Sequence, residues 1–121
     1  MGAMRAMARR ERERFLERVV AIYGEGWLYL IELERPIGDV ARPRCSARYY
    51  LGWCKGSPEL RLAQHRRGDG ARMLAWCNEH AVGYRLIATW RGTIADEWRL
   101  KRSGHFERLA DKVRGLNRAG P

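Results

Sequence analysis

Charged and apolar positions interleave at helical spacing from about residue 6 to 23. Phe15, Leu16, Val19, Val20, Ile22 and Tyr23 make the apolar side, and Gly24 and Gly26 end the repeat. The pattern predicts an amphipathic helix. Its half Arg9-Arg10-Glu11-Arg12-Glu13-Arg14 carries both signs and reads as a solvated face with internal pairs. From Trp27 the period shortens. Residues 27–33 and 47–53 are rich in aromatic and branched side chains, which predicts two strands joined as an antiparallel hairpin. Between them Pro36, Gly38 and Pro43 are turn formers, so residues 34–46 are expected to be a loop, one that carries Arg35, Arg42 and Arg44.

Ser57-Pro58 pairs a capping residue with proline at a first helical position, and Gly68 closes the segment. A short helix over residues 58–67 puts Arg61 and His65, four apart, on one face. Asp69 is the expected cap of the next helix, which runs to about Glu79 with Met73, Leu74 and Cys77 inward. Tyr84, Leu86, Ala88 and Trp90 alternate with Arg85, Ile87 and Thr89, the period of a third strand. Thr93 and Asp96 form a capping-box signature for a helix to about Arg102; beyond Ser103-Gly104, Phe106, Leu109, Val113 and Leu116 mark a final helix. The chain of 121 residues has room for one such core and not two. The prediction is an α+β fold, a three-stranded antiparallel sheet flanked by helices. Residues 1–25 form a helical extension and 26–118 the domain.

Charge narrows the partner. Lys and Arg number 24 against 14 Asp and Glu, a net charge of +10, which favours polyanions through counterion release. Only Lys55, Lys101 and Lys112 are lysines, and Arg suits bidentate phosphate contacts, although G+C-rich codon usage accounts for an Arg excess equally well. Cys45, Cys54 and Cys77 are odd in number and widely spaced, which fits a reducing compartment; Cys77-x2-His80 is the one close pair of zinc-type ligands. No apolar run approaches the roughly 20 residues of a membrane span, and the N-terminus lacks an apolar leader. A soluble cytoplasmic protein of prokaryotic or phage origin is expected, with nucleic acid and no membrane as partner.

Several residues have the chemistry that phosphodiester hydrolysis needs: a positioned water, a group to remove its proton, and positive charge on the phosphoryl oxygens. Glu97 can hold Mg²⁺, which is often bound by only one or two carboxylates; Mn²⁺ is the natural substitute. With Lys101 four residues on, it can equally be an exposed helix pair. Arg61 can fork onto a phosphate, and His65, one turn away, titrates in the range of a proton acceptor. Tyr29 and Tyr50 would pass for ordinary strand aromatics on their own.

Taken in order, Trp27-Leu28-Tyr29-Leu30-Ile31, Tyr49-Tyr50-Leu51-Gly52, Leu60-Arg61-Leu62-Ala63-Gln64-His65 and Ala95-Asp96-Glu97-Trp98-Arg99-Leu100-Lys101 resemble the GIY-YIG nuclease domain over about residues 26–102. Trp27-Leu28-Tyr29 stands where that family has Gly-Ile-Tyr, and the connection between the two motifs is longer than usual. The resemblance implies a metal-dependent DNA endonuclease. Tyr29, or alternatively Tyr50, would be general base, Arg61 the phosphate clamp, His65 an auxiliary base and Glu97 the ligand of Mg²⁺. Gly52 fits a place where a backbone must turn or approach DNA closely. Lys55, Arg42, Arg44, Arg66 and Arg67 are the candidate DNA contacts, and Asn117 the candidate for a supporting Asn. Cutting both strands with one such site would call for a homodimer or two successive nicks. Two other classes compete. One is a catalytically silent protein binding DNA or structured RNA on the same fold. The other is an arginine-rich structural or ribosome-associated protein, for which salt-sensitive RNA binding without metal dependence is expected.

Overall fold

The structure, a computed structural model, describes residues 7–42, 46–104 and 106–118. Its elements run α1 (Arg9–Tyr23), β1 (Glu25–Gly38), β2 (Ser46–Cys54), α2 (Pro58–Arg66), α3 (Arg72–Glu79), β3 (Tyr84–Thr93), α4 (Ile94–Ser103) and α5 (Phe106–Arg118). The three strands form one antiparallel sheet in the order β2-β1-β3. The architecture is therefore α+β with a three-stranded antiparallel sheet flanked by helices. Arg44 and Cys45 lie outside the described residues, as does the side chain of Asn117. Among the described residues no helix is long and apolar enough to cross a membrane.

The central strand is apolar from Trp27 to Ile31 and again at Leu33 because both of its faces are covered. Tyr29, Ile31 and Leu33 pack against Leu74 and Cys77 of α3 and against Val82. Leu28 and Leu30 pack on the other face with Tyr49, Leu51 and Ala110 of α5. A short continuous apolar run is what a strand buried on both sides requires. Glu32 falls in this run and is 6% exposed. Arg85 meets its Oε1 at 3.1 Å and Arg114 of α5 meets Oε2, so the buried carboxylate is held between two guanidinium groups. Such a charge is tolerated only when paired, and this one ties α5 to the sheet.

Three local expectations need correction. Residues 34–38 belong to β1, not to a loop; the pairing with β2 slips between Glu32 and Ile37, where Pro36 has no N–H to give the ladder. In β3 the register passes from Leu30↔Ala88 to Ile31↔Leu86, leaving Ile87 as an extra residue. This bulge reverses the phase. Leu86 packs with the Tyr29 side, and Ala88 and Trp90 with the Leu28 side, so the four alternating residues do not share a face. Finally, Asp69 does not cap α3, whose N-cap is Ala71; Asp69 pairs with Arg67 at 3.6 Å instead.

The N-terminal helix is docked. Leu16 packs with Ala95 and Trp98 of α4, Arg99 reaches Glu13 at 3.0 Å, and Arg12 and Arg102 each lie 5.2 Å from the Trp98 ring. Since α4 carries Glu97, α1 acts as its outer support.

Candidate active site

Sheet register aligns the two tyrosines. Tyr29 of β1 faces Gly52 of β2 and Ile31 faces Tyr50, so the rings of Tyr29 and Tyr50 are diagonal neighbours with centroids 6.2 Å apart. Helix α2 brings the next pair. Ser57 caps it by accepting from the Leu60 N–H at 3.3 Å, and proline follows as anticipated. His65, one turn after Arg61, lies with Nε2 2.9 Å from the Tyr29 hydroxyl and its ring 5.5 Å from that of Tyr50. Helix α4 supplies the rest: Thr93 and Asp96 form the capping box in both directions, which sets Glu97 in the first turn. Lys101 meets the Glu97 carboxylate at 3.5 Å and sits 5.5 Å over the Tyr50 ring. Arg61 donates to Gln64 Oε1 at 2.9 Å and lies close enough for its charge to act on Tyr29, Tyr50 and His65, so Tyr29, Tyr50, Arg61, His65 and Glu97, drawn from two strands and two helices, converge on one place.

The close packing depends on two glycines. A Cβ on Gly52 would lie 2.2 Å from the Tyr29 ring, and one on Gly70 would lie 1.9 Å from His65 Nδ1. Gly52 is buried, so the room it leaves is filled by Tyr29 and not by a DNA backbone, which corrects the expectation for that residue.

Hydrogen bonding sets the imidazole tautomer. The Ala71 N–H donates to His65 Nδ1 at 3.1 Å, so Nδ1 is the unprotonated nitrogen of the neutral ring. The proton is then on Nε2, which donates to the Tyr29 oxygen. His65 is 0% exposed, and desolvation, aided by the Arg61 charge, lowers its pKa from 6.5 to about 4. With both nitrogens engaged inside the protein, His65 meets no outside water directly. Burial raises the pKa of both tyrosines. Tyr29 is raised further by the charge that Tyr50 acquires on ionising, while the Arg61 guanidinium opposes the shift. At Tyr50 the Glu97 carboxylate adds to the rise, and a hydrogen bond from Tyr29 and the charge of Arg61 pull the other way. Burial also raises Glu97, whose side chain is 13% exposed, and Lys101 offsets part of this.

The buried imidazole gives a pH prediction. Between about 4 and 6.5 the unfolded chain binds more protons at this residue than the folded one, so stability falls as pH drops through that window. At 1.36 kcal/mol per unit the loss is about 3 kcal/mol. The raised Glu97 acts in the opposite sense, losing stability as pH rises. The comparison is therefore of thermal midpoints for wild type and His65→Gln, expected to converge as pH falls from 6.5 to 4. Parallel profiles would assign the acid sensitivity to another group.

The candidate DNA contacts are dispersed. Arg42 pairs with Asp39 at 3.6 Å beyond the end of β1. Gly38 is nine residues from Tyr29, at most about 30 Å of extended strand, so this arginine is at the far turn of the hairpin. Arg66 is held against Tyr84, donating to its carbonyl at 3.2 Å, and Arg67 is exposed beside Asp69. Lys55 donates to the Glu25 carbonyl at 3.0 Å.

Sequence reading missed three participants. Lys101 was visible only as the i,i+4 partner of Glu97, and nothing in the spacing showed that it overlies Tyr50. Asn78 donates to the His65 carbonyl at 2.7 Å and accepts from the Tyr84 hydroxyl at 2.8 Å. Gly70, next to the expected cap Asp69, had no mark to distinguish it from any loop glycine. Among the described residues no three His, Cys, Asp or Glu side chains gather as a metal-binding group. Comparison with family models, with curated proteins and with solved structures finds no match in any of the three.

Proposed function

We propose that this chain is a metal-dependent DNA endonuclease of the GIY-YIG kind, hydrolysing phosphodiester bonds at a single-metal site on Glu97. The observation that carries the reading is the convergence of Tyr29, Tyr50, Arg61, His65 and Glu97: the two tyrosines and His65 pack together at the core, and the charges of Arg61 and Glu97 act on that same spot, which packing alone does not require. Glu97 fits a cation: its carboxyl is desolvated enough to be pushed up even with Lys101 at 3.5 Å, so additional positive charge would be favourable there. A Mg²⁺ or Mn²⁺ ion held at Glu97 would supply Lewis-acid charge for a phosphate.

The remaining residues supply position and protons. Arg61, which can fork onto a phosphate, is the phosphate clamp. Tyr50 is the better candidate for the general base, because it is half-buried while Tyr29 is 1% exposed, and because it is Tyr29 that suffers from Tyr50 ionising first. His65 Nε2–H donates to Tyr29, and the neighbouring Tyr29 hydroxyl and the Arg61 charge both favour a phenolate at Tyr50. His65 in this scheme orients Tyr29.

The test is nicking of supercoiled plasmid with Mg²⁺, Mn²⁺ or EDTA. Metal-dependent nicking is expected, reduced about a hundredfold in Tyr50→Phe and less in Tyr29→Phe. Binding of DNA without cutting of plasmid or branched DNA under any metal would return the protein to the silent-binder class. A larger loss in Tyr29→Phe would exchange the roles of the two tyrosines.

A further inference from the structure

Helix α3 leaves the cluster carrying an aromatic feature that the hydrolytic scheme does not use. Its inner residues, Leu74 and Cys77, are buried in the core. On its outer side Trp76 is 41% exposed and stacks on His80, with ring centroids 3.9 Å apart and planes 11° from parallel. The pair is set in advance: His80 Nδ1 lies 2.9 Å from the Trp76 carbonyl, which can only accept, so Nδ1 carries the proton and the imidazole is fixed against the helix. Arg72, exposed, is one turn before Trp76 on the same helix. Arg67, also exposed, lies on the segment leading into it. Glu79 is the one acidic residue of α3.

We infer that Trp76 and His80 form a stacking platform for an unpaired DNA base, so that the preferred substrate carries a single strand beside the scissile phosphate. This rests on the nuclease reading above. A bland explanation, a helix end closed by its own ring pair, accounts for the stack but leaves a large part of the indole in water, on a chain with a net charge of +10. Exposed flat π-faces are what single strands bind, and stacking is tolerant of base identity; the positive charge that attracts the strand here is that of the whole chain, since Arg67 is paired with Asp69. The attachment to the site is direct. Ala71, at the start of α3, donates to His65 Nδ1, and Asn78 donates to the His65 carbonyl. Trp76 is five residues beyond Ala71, about 7.5 Å of helical rise along the same helix.

The experiment measures fluorescence anisotropy in EDTA, where cutting does not intervene. The probes are a labelled single strand, a blunt duplex and a duplex with a single-stranded flap. Trp76→Ala is expected to weaken binding of the single strand and of the flap by about fivefold to a hundredfold, leaving the blunt duplex within about twofold. Trp76→Phe, which keeps an aromatic face, should recover most of the loss. Equal weakening on all three probes overturns the proposal by making Trp76 a general contact or a folding residue. No weakening on any, or no DNA binding by the wild type, overturns it too. The two readings fail separately: a wild type that binds the flap through Trp76 but never cuts it removes the nuclease and keeps the platform, whereas flap binding and flap cutting that are both indifferent to Trp76→Ala do the reverse.

Discussion

Glu97→Gln is expected to lower metal-dependent nicking of supercoiled plasmid by at least about a thousandfold while leaving DNA affinity within about twofold. The substitution preserves shape and removes the charge that would hold the cation. It should not disturb folding, because the capping box that starts α4 belongs to Thr93 and Asp96, and because Glu97 is itself disfavoured as a carboxylate by its surroundings. Its ion pair with Lys101 is partly exposed and contributes little to stability. An unchanged thermal midpoint together with lost nicking therefore isolates the chemistry. Nicking by Glu97→Gln that still depended on Mg²⁺ would move the cation elsewhere, and loss of DNA binding in step with nicking would make Glu97 part of the binding surface.

The second large effect is expected at Gly52. Alanine there would put a carbon 2.2 Å from the Tyr29 ring and 2.3 Å from its hydroxyl. Tyr29 has nowhere to retreat, since it is enclosed by the core of α3 and bound to His65 at 2.9 Å. Overpacking of this kind costs about 1–3 kcal/mol, and the upper end is expected for a ring held on several sides, a fall of roughly 10 °C or more in thermal midpoint. Activity should fall further than stability, because displacing Tyr29 breaks its hydrogen bond to His65 and moves the hydroxyl that favours a phenolate at Tyr50. The double variant Gly52→Ala/Tyr29→Ala tests the cause: relief of the clash should make its midpoint higher than the sum of the two single losses allows. Strict additivity, or a Gly52→Ala protein as stable and active as wild type, would show that the ring can move and that the glycine is not required by it.

Much of the scaffold was legible because it rests on local rules. The capped start of α2 at Ser57-Pro58 and the Thr93/Asp96 box of α4 both form as read, since each involves residues three or four apart whose side chains satisfy the helix end. The i,i+4 spacing of Arg61 and His65 was equally local. Other features escaped for physical reasons. The bulge at Ile87 shifts one residue against β1, and residue alternation alone contains no mark of a partner's register. The cap at Asp69 failed because a turn built around Gly70 gives its next N–H, that of Ala71, to His65, a demand made by a neighbouring helix. Gly52 looked like an opening for DNA because a glycine announces that something approaches closely, without saying what.

By itself, the sequence determined the α+β class, the antiparallel hairpin, the spacing of Tyr29, Tyr50, Arg61, His65 and Glu97 along the chain, and a net charge suited to polyanions. These follow from hydrophobic period, capping chemistry and composition, all of which act over a few residues or over the whole chain at once. Only the tertiary structure decided that the five residues meet, which tyrosine is enclosed and which is accessible, and which nitrogen of His65 carries the proton. It also decided that Glu32 is buried between Arg85 and Arg114. Each of these depends on groups distant in sequence sharing a desolvated space, where ionisation and hydrogen-bond direction are set by whatever else the fold brings there.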